Sequence, residues 1–324
     1  MTERQVVVVG YDGAELLDLA CVTTTLAAAN RLGAEPRYAT RVATPGGRPA
    51  RCGSGLSLDG CRSLERLRGP LDTLLVTGGY GHQAAAAHPL IVGHVRRLAR
   101  ESRRIASVCT GATVLAAAGL LDGRRATTHW SYAAELAAAY PAVEVDPVPI
   151  YIRDGAVSTA AGVTSALDLT LAFIAEDHGP ELARSVARSL VTYLQRPGNQ
   201  AQMSMFVATG APRHDVVRRV ADHVAGHLAE DLGTAALAAV AGVGERHLTR
   251  LFGEHLGRTP ARYVRDARLE AAAQLLTGTA LPVARVAARC GFRSAETLRQ
   301  AFTARYAVSP SGFRSAVQRQ GSAG

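Results

Sequence analysis

The chain has 324 residues, 48% of them hydrophobic and 19% charged, with a formal net charge of +9. That length favours two domains, each able to bury its own core, and the absence of a long apolar run excludes a bilayer-spanning segment. All 36 basic residues are arginine, and the five cysteines (Cys21, Cys52, Cys61, Cys109, Cys290) form no CxxC pair, which fits free thiols rather than a disulfide framework.

In chain order, residues 4–10 carry Val6, Val7, Val8 and Val9, the pattern of a strand buried on both faces of a parallel sheet. A helix is expected over 14–32, a strand over 37–43, and another over 71–76 that ends in the turn Thr77-Gly78-Gly79-Tyr80-Gly81. Residues 88–102 read as helix, 104–108 as strand and 110–118 as an alanine-rich helix. Strands near 125–127, 150–153 and 156–159 follow, then helices over 163–177 and 180–194. Strands alternating with helices mean an α/β domain, mainly parallel, with helices on both sheet faces. The pairs Arg96-Arg97 and Arg103-Arg104 read as a solvated helix face.

Residues 195–202 are polar with Pro197 and Gly198, so the first domain is expected to span 1–195 and an extended linker 196–212. An amphipathic helix with Val216, Val217, Val220, Val224 and Leu228 on one side opens a second, all-helical domain over 213–318. The polar tail, 319–324, is expected to be disordered. From Arg213 onward sixteen arginines face nine acidic residues, against twenty and eighteen before it. The positive excess therefore sits on the second domain, where it suits attraction to phosphate.

The strand at 104–108 runs straight into Cys109-Thr110-Gly111-Ala112 and a helix. Strand, sharp turn with a nucleophile, and helix make a nucleophile elbow. On that reading the helix N-terminus lowers the Cys109 thiol pKa. Ligands in open α/β sheets bind beyond the carboxyl ends of the strands, where Gly78, Gly79, Cys109 and Thr110 lie. The glycine turn is expected to present backbone N–H groups to an anion. His223 and His227 stand one helical turn apart without the intervening Glu of a zinc helix, so neither metal nor cofactor is expected.

The second domain holds one pattern twice. In the first copy Leu237, Val240 and Ala241 precede Gly242, and Leu248, Leu251 and Phe252 follow it; in the second, Val283, Val286 and Ala287 precede Gly291, and Leu298, Ala301 and Phe302 follow. A proline comes eight residues after each Phe (Pro260, Pro310) and an aromatic three further on (Tyr263, Phe313). Each copy reads as helix, glycine turn, helix. The second helices, about 245–255 and 294–305, carry Arg246, His247, Thr249 and Arg250, and then Arg293, Ser294, Glu296, Thr297, Arg299 and Gln300, on their outer sides. Such donor-rich faces suit the major groove of double-stranded DNA. The helix between the copies, about 260–276, spans roughly 25 Å at ~1.5 Å per residue.

Gly291-Phe292, Phe302, Pro310 and Phe313-Arg314, with the weaker first copy, resemble the paired helix-turn-helix domain of AraC/XylS-type transcription regulators. The run from Val108-Cys109-Thr110-Gly111-Ala112 to Thr128-His129-Trp130 resembles the DJ-1/PfpI, or class I glutamine amidotransferase-like, domain. That resemblance implies a flavodoxin-like fold over about 4–195 with Cys109 as the elbow residue. His129 matches the histidine that approaches the thiol. Asp18 matches the acidic position of the isonitrile hydratase-like branch, ahead of Glu15. Thr110 stands where the protease-like branch has His, which argues against peptidase chemistry.

The combination resembles GlxA-type transcriptional regulators. It implies a cytoplasmic homodimer that binds an operator and senses a small, nitrogenous effector at Asp18, Gly78, Gly79, Cys109, Thr110 and His129. Three roles stay open for Cys109: a catalytic or sensing thiolate, a wall of a binding pocket, or a structural residue. The competing functions are a hydratase or amidase with a DNA-binding appendage, and a cysteine-based stress sensor.

Overall fold

Val6, Val7, Val8 and Val9 are almost wholly buried because β1 (Glu3–Val9) runs between β2 (Arg37–Thr44) and β6 (Leu71–Val76), parallel to both. The molecule, a computed structural model, is described over residues 3–192, 196, 198, 202, 214–279, 281–306 and 308–319. It forms two compact units, one ending at Gln202 and the other at Arg319.

In the first unit β1 is followed by α1 (Leu16–Arg31), β2, the short β3 (Ala50–Arg51), β4 (Ser57–Leu58) and β5 (Arg62–Ser63), and β6. Then come α2 (His82–Ala87), α3 (Pro89–Ala99), β7 (Ser102–Val108), α4 (Gly111–Ala117), β8 (Arg125–Ala126), α5 (Ala133–Ala139) and β9 (Glu144–Val145). β10 (Tyr151–Asp154), β11 (Val157–Ala160), α6 (Val163–His178) and α7 (Pro180–Ser189) complete it. The main sheet has the order β10-β11-β7-β6-β1-β2-β5, parallel except for the β10–β11 pair. Helices α1, α6 and α7 pack together, and α2, α3 and α4 pack together. This is the expected flavodoxin-like layering.

The helix expected over 88–102 is α3, shorter at both ends, and α2 just before it was not expected. His88 is extended (φ −86°, ψ 111°) ahead of Pro89 at the first position of α3, as a residue before proline prefers, and Ser102 already belongs to β7. α7 stops at Ser189 rather than reaching 194. β8 leaves the main sheet and pairs with β9.

Nor is Arg104 a solvated helix residue. It lies on β7, 4% exposed, with its guanidinium over the Phe173 ring at 4.0 Å and 2.9 Å from Asp177. Arg103 bridges Asp72 and Asp177 beside it. Arg96 and Arg97 cap carbonyls of Ala118 and Leu67.

Three residues of the expected linker hydrogen-bond within the first unit. Arg196 holds Asp168 through its backbone N–H and its guanidinium, at 2.7–2.9 Å. Gly198 O accepts from Tyr151 N–H, and Gln202 N–H donates to Val148 O. These residues belong to the first unit. The rest of the expected linker and the tail from 320 lie outside the described residues, and residue 319 itself ends a helix.

The second unit has α8 (Asp215–Gly226), α9 (Thr234–Ala241), α10 (Glu245–Leu256), α11 (Pro260–Gly278), α12 (Val283–Arg289), α13 (Ala295–Tyr306) and α14 (Pro310–Arg319). Gly242 and Gly291 take the left-handed conformation (φ 67° and 72°) that the turns require. Leu248, Leu251, Phe252, Leu298 and Phe302 are buried as expected, whereas Val240, expected on the core side, faces out. Thr259 caps α11, its Oγ1 accepting from Arg262 N–H.

Burial pushes the Asp177 carboxyl up, but the hydrogen bond and charge of Arg104, with Tyr38 and Arg103, outweigh this and hold it below its ordinary pKa. A depressed folded-state pKa gives stability that is present above the unfolded aspartate pKa (~4) and lost as pH falls through the folded value. Arg104→Met, which leaves Asp177 without its most buried partner, is expected to destabilise the first unit by ~3–5 kcal/mol at neutral pH. Denaturant melts from pH 7 to 3 should show that deficit shrinking with acid.

Candidate functional site

The chain leaves β7 through Cys109 at φ 54°, a left-handed conformation that a residue with a Cβ adopts only under strain. Gly111 makes the turn possible: a Cβ there would lie 2.4 Å from Val76 O and 2.7 Å from Thr77 O. The elbow is pinned on several sides. Cys109 N–H donates to Ala160 O, and Thr128 Oγ1 donates to Cys109 O at 2.9 Å.

Asp18 sits in the first turn of α1, fully buried. Its Oδ2 accepts from Gly78 N–H at 2.9 Å, while Oδ1 has no hydrogen-bond partner. Glu15 instead caps α1, accepting from Leu17 N–H. Thr110 Oγ1 both accepts from Gly79 N–H and lies within donating distance of Gly79 O, 2.9 Å in each case. The amides of Gly78 and Gly79 are therefore occupied by Asp18 and Thr110, so the expected anion cradle is filled by the protein's own side chains. Asp18, Gly78, Gly79, Cys109 and Thr110 do come together at one sheet edge.

His129 is on the neighbouring loop, but its Nδ1 faces Ser131 Oγ at 2.7 Å. Among the described residues no hydrogen bond joins its ring to Cys109. Its ring instead approaches those of Trp130 and Tyr132, and Tyr132 meets His82. Burial lowers the pKa of both His82 and His129, favouring their neutral forms.

The thiol departs from expectation. Burial, and then the Asp18 charge, push Cys109 up to about 12. The hydrogen bond from the Thr110 amide pulls the other way and loses, because Cys109 is buried beside an acid. Burial likewise pushes Asp18 up to about 7, against the pull of the Gly78 amide. The site therefore offers a neutral thiol and a carboxyl poised between its two forms, rather than a thiolate with a histidine base.

Two features had no sequence signal. Tyr11 donates to Thr77 O at 2.8 Å and lines a cavity of about 500 Å³ with Asp12, Thr44, Arg48, Glu65 and His88. Neither Cys109 nor Asp18 is among its lining residues. Gln202, expected in a linker, reaches the elbow loop. Its Nε2 donates to Thr127 Oγ1 and Thr128 O, and its Oε1 accepts from Trp130 N–H.

In the second unit, Arg246, His247, Thr249, Arg250, Arg293, Ser294, Glu296, Thr297, Arg299 and Gln300 are all exposed. Arg250 is tied to Glu254 and His247, and Arg299 and Gln300 to Glu296. Exposed pairs of this kind are weak in water and yield readily to a base edge or phosphate. Ser294 serves a second end as the cap of α13, its Oγ accepting from Thr297 N–H at 3.1 Å, and Arg293 lies in the turn before it. His223 and His227 stack at 4.2 Å, and no cluster of three metal-ligating side chains occurs among the described residues.

A raised folded-state pKa makes the Asp18 contribution favourable below the ordinary aspartate pKa and lost as pH rises through about 7. Asp18→Asn is expected to stabilise the unit above pH 7 by a few kcal/mol, read by thermal melts from pH 4 to 9. It should also speed Cys109 alkylation by iodoacetamide, followed by peptide mass analysis with Cys109→Ser as control. No change in either readout would show Asp18 already ionised and remote from the thiol.

The DJ-1/PfpI family matches residues 4–176, and a helix-turn-helix domain family matches residues 237–316. The HTH-type transcriptional regulator CdhR of Pseudomonas aeruginosa is 36% identical over 309 residues, covering 94% of this chain and 90% of the relative. The HTH-type transcriptional regulator GlxA of Rhizobium meliloti is 32% identical over 303 residues, covering 92% of each. The crystal structure of Drosophila melanogaster DJ-1beta superposes with a TM-score of 0.52 at 22% identity, covering 58% of this chain and 98% of that one; this likeness concerns the fold alone. With an elbow domain, a double helix-turn-helix domain and relatives that share both, the chain belongs to the DJ-1/PfpI family and to its DNA-binding, helix-turn-helix transcriptional regulators.

Proposed function

We propose that the first unit senses a small, nitrogenous metabolite at the Asp18–Cys109 edge and that the second unit turns its presence into a change in operator binding through α10 and α13. The observation that carries the sensing role is the buried, unpartnered Oδ1 of Asp18. A buried acceptor without a donor is unfavourable by ~1–3 kcal/mol, and an N–H group of a ligand relieves it. The neutral thiol of Cys109 and the rings of His129 and Trp130 then act as walls. This favours binding over a hydratase or amidase reaction, since the thiol is held protonated and His129 is turned to Ser131.

Gln202 supports a route for the signal. It stands at the boundary of the first unit and holds the same loop that Thr128 ties to Cys109. A ligand that moves His129 and Trp130 strains those bonds at the point where the chain departs for the DNA-binding unit. Homodimerisation through the first unit fits its surface: Leu17, Tyr80 and Trp130 are 52%, 80% and 51% exposed, and each adjoins a site residue. Such exposed apolar side chains favour an interface. The proposed location is the cytoplasm, where the operator lies.

Capture of fragmented genomic DNA by the full-length protein at two salt concentrations tests the operator role. A few sites with paired half-sites should survive the higher salt, whereas diffuse enrichment that vanishes would mean electrostatic binding alone. On a captured site, Arg250→Ala and Arg299→Ala should each weaken binding by ~1–3 kcal/mol if the side chain reads a base, and unchanged affinity in both removes those assignments. Thermal shifts with a panel of small amines, amidines and amides test the effector class. At least one should raise the melting temperature of the wild type and leave Asp18→Asn unmoved; a uniform null across the panel removes the nitrogenous reading.

A further inference from the structure

The two helix-turn-helix halves have separate cores. Val217, Leu237, Leu248, Phe252, Tyr263 and Ala267 belong to one, and Leu269, Ala272, Val286, Leu298, Phe302 and Phe313 to the other. α11 supplies both, and the core changes hands between Ala267 and Leu269. Arg268 stands at that crossing. Its Nε donates to Leu228 O at 3.0 Å and its Nη2 to Glu230 O at 2.7 Å, two carbonyls just past the end of α8 in the first half. Hydrogen bonds from a charged donor are the strong ones, and the guanidinium fork fixes two acceptors in one plane.

The turn of the second half closes on the same place. A Cβ built on Gly291 would lie 2.1 Å from Leu228 O and 2.7 Å from Nε and Cζ of Arg268. Its counterpart Gly242 has the same left-handed backbone, yet nothing lies within 4 Å of a Cβ built there. Gly242 is needed for its φ alone; Gly291 is needed for its φ and because two other segments press against it. The two glycine turns are thus unequal, and the second is where the halves touch. Among the described residues, the helix pairs with the most extensive contacts in the unit lie within a half or involve α11. The halves therefore lean on this contact and on the connector for their mutual angle.

We propose that Arg268 is a positioning residue for DNA recognition: by clamping the carbonyls of Leu228 and Glu230 against the Gly291 turn, it fixes the angle and separation of α10 and α13 and so the spacing of the two DNA segments that the protein accepts. A single base pair shifts one segment by about 3.4 Å and turns it by about 34° relative to the other. Only a stiff junction discriminates against so small a change; a loose one follows it.

The test uses the full-length chain and a captured operator, with variants carrying one base pair more or fewer between the two contacted segments, and one variant in which the second segment is scrambled. Arg268→Met keeps the aliphatic stem and removes both donors. It is expected to bind the scrambled operator as the wild type does, while its ratio of affinities for native over shifted spacing falls about tenfold. Arg268→Lys, which keeps the charge without the planar fork, should give an intermediate ratio. An unchanged ratio in folded Arg268→Met overturns the proposal, as does an equal loss on all operators, the scrambled one included, which marks a merely structural residue. Should Arg268→Met fail to fold, a wild-type ratio in Arg268→Lys overturns it instead. A wild-type protein indifferent to spacing also overturns it, while leaving DNA binding itself intact.

Discussion

The backbone reversal at Cys109 is the constraint on which the Asp18–Cys109 edge depends. A residue with a Cβ is held at φ 54°, and such a conformation costs about 1–3 kcal/mol. Three surrounding segments sustain it. Gly111 sits so close to the ends of β6 that no side chain fits, Ala160 accepts the Cys109 amide, and Thr128 holds its carbonyl. The same reversal brings Thr110 onto Gly79 and the Cys109 thiol beside Asp18, so the edge is assembled by one strained residue and its glycine.

That assembly departs from an open nucleophile site. The donors that an elbow usually leaves open are taken up by Asp18 and Thr110, the histidine turns to Ser131, and burial keeps the thiol protonated. What remains unsatisfied is one oxygen of Asp18. On the proposed reading, this open acceptor and the hydrogen bonds from the Thr128 loop to Gln202 serve to register a ligand. The relatives CdhR and GlxA, which match over nearly the whole chain, are named as regulators.

The second unit solves a different problem. Two small cores, each too modest to orient the other, are strung on one 19-residue helix. The apolar repeat builds each half, whereas the register between the halves rests on polar contacts at Arg268 and on the absence of a side chain at Gly291. The recognition faces meanwhile keep their arginines and glutamine in weak internal pairs, which holds the side chains extended along the helix without committing them.

Much of this was legible in the sequence. The valine run pointed to a central strand because four consecutive β-branched apolar side chains suit a strand covered on both faces. The paired glycine turns, the Phe-to-Pro spacing and the strand running into Cys109 each encode local geometry, and local geometry is what adjacent residues decide. Tertiary structure decided the rest. Arg103 and Arg104 read as surface charge until Asp72 and Asp177 arrived from distant segments to pair with them. The thiol pKa followed from burial and from Asp18, some ninety residues away along the chain, and not from the short helix beside it. Gln202 looked like linker because its partners, Thr127, Thr128 and Trp130, lie on another loop. The two turn glycines look alike in sequence, and only the fold makes one of them a wedge between halves, since neither a desolvation energy nor a long-range contact is written in neighbouring residues.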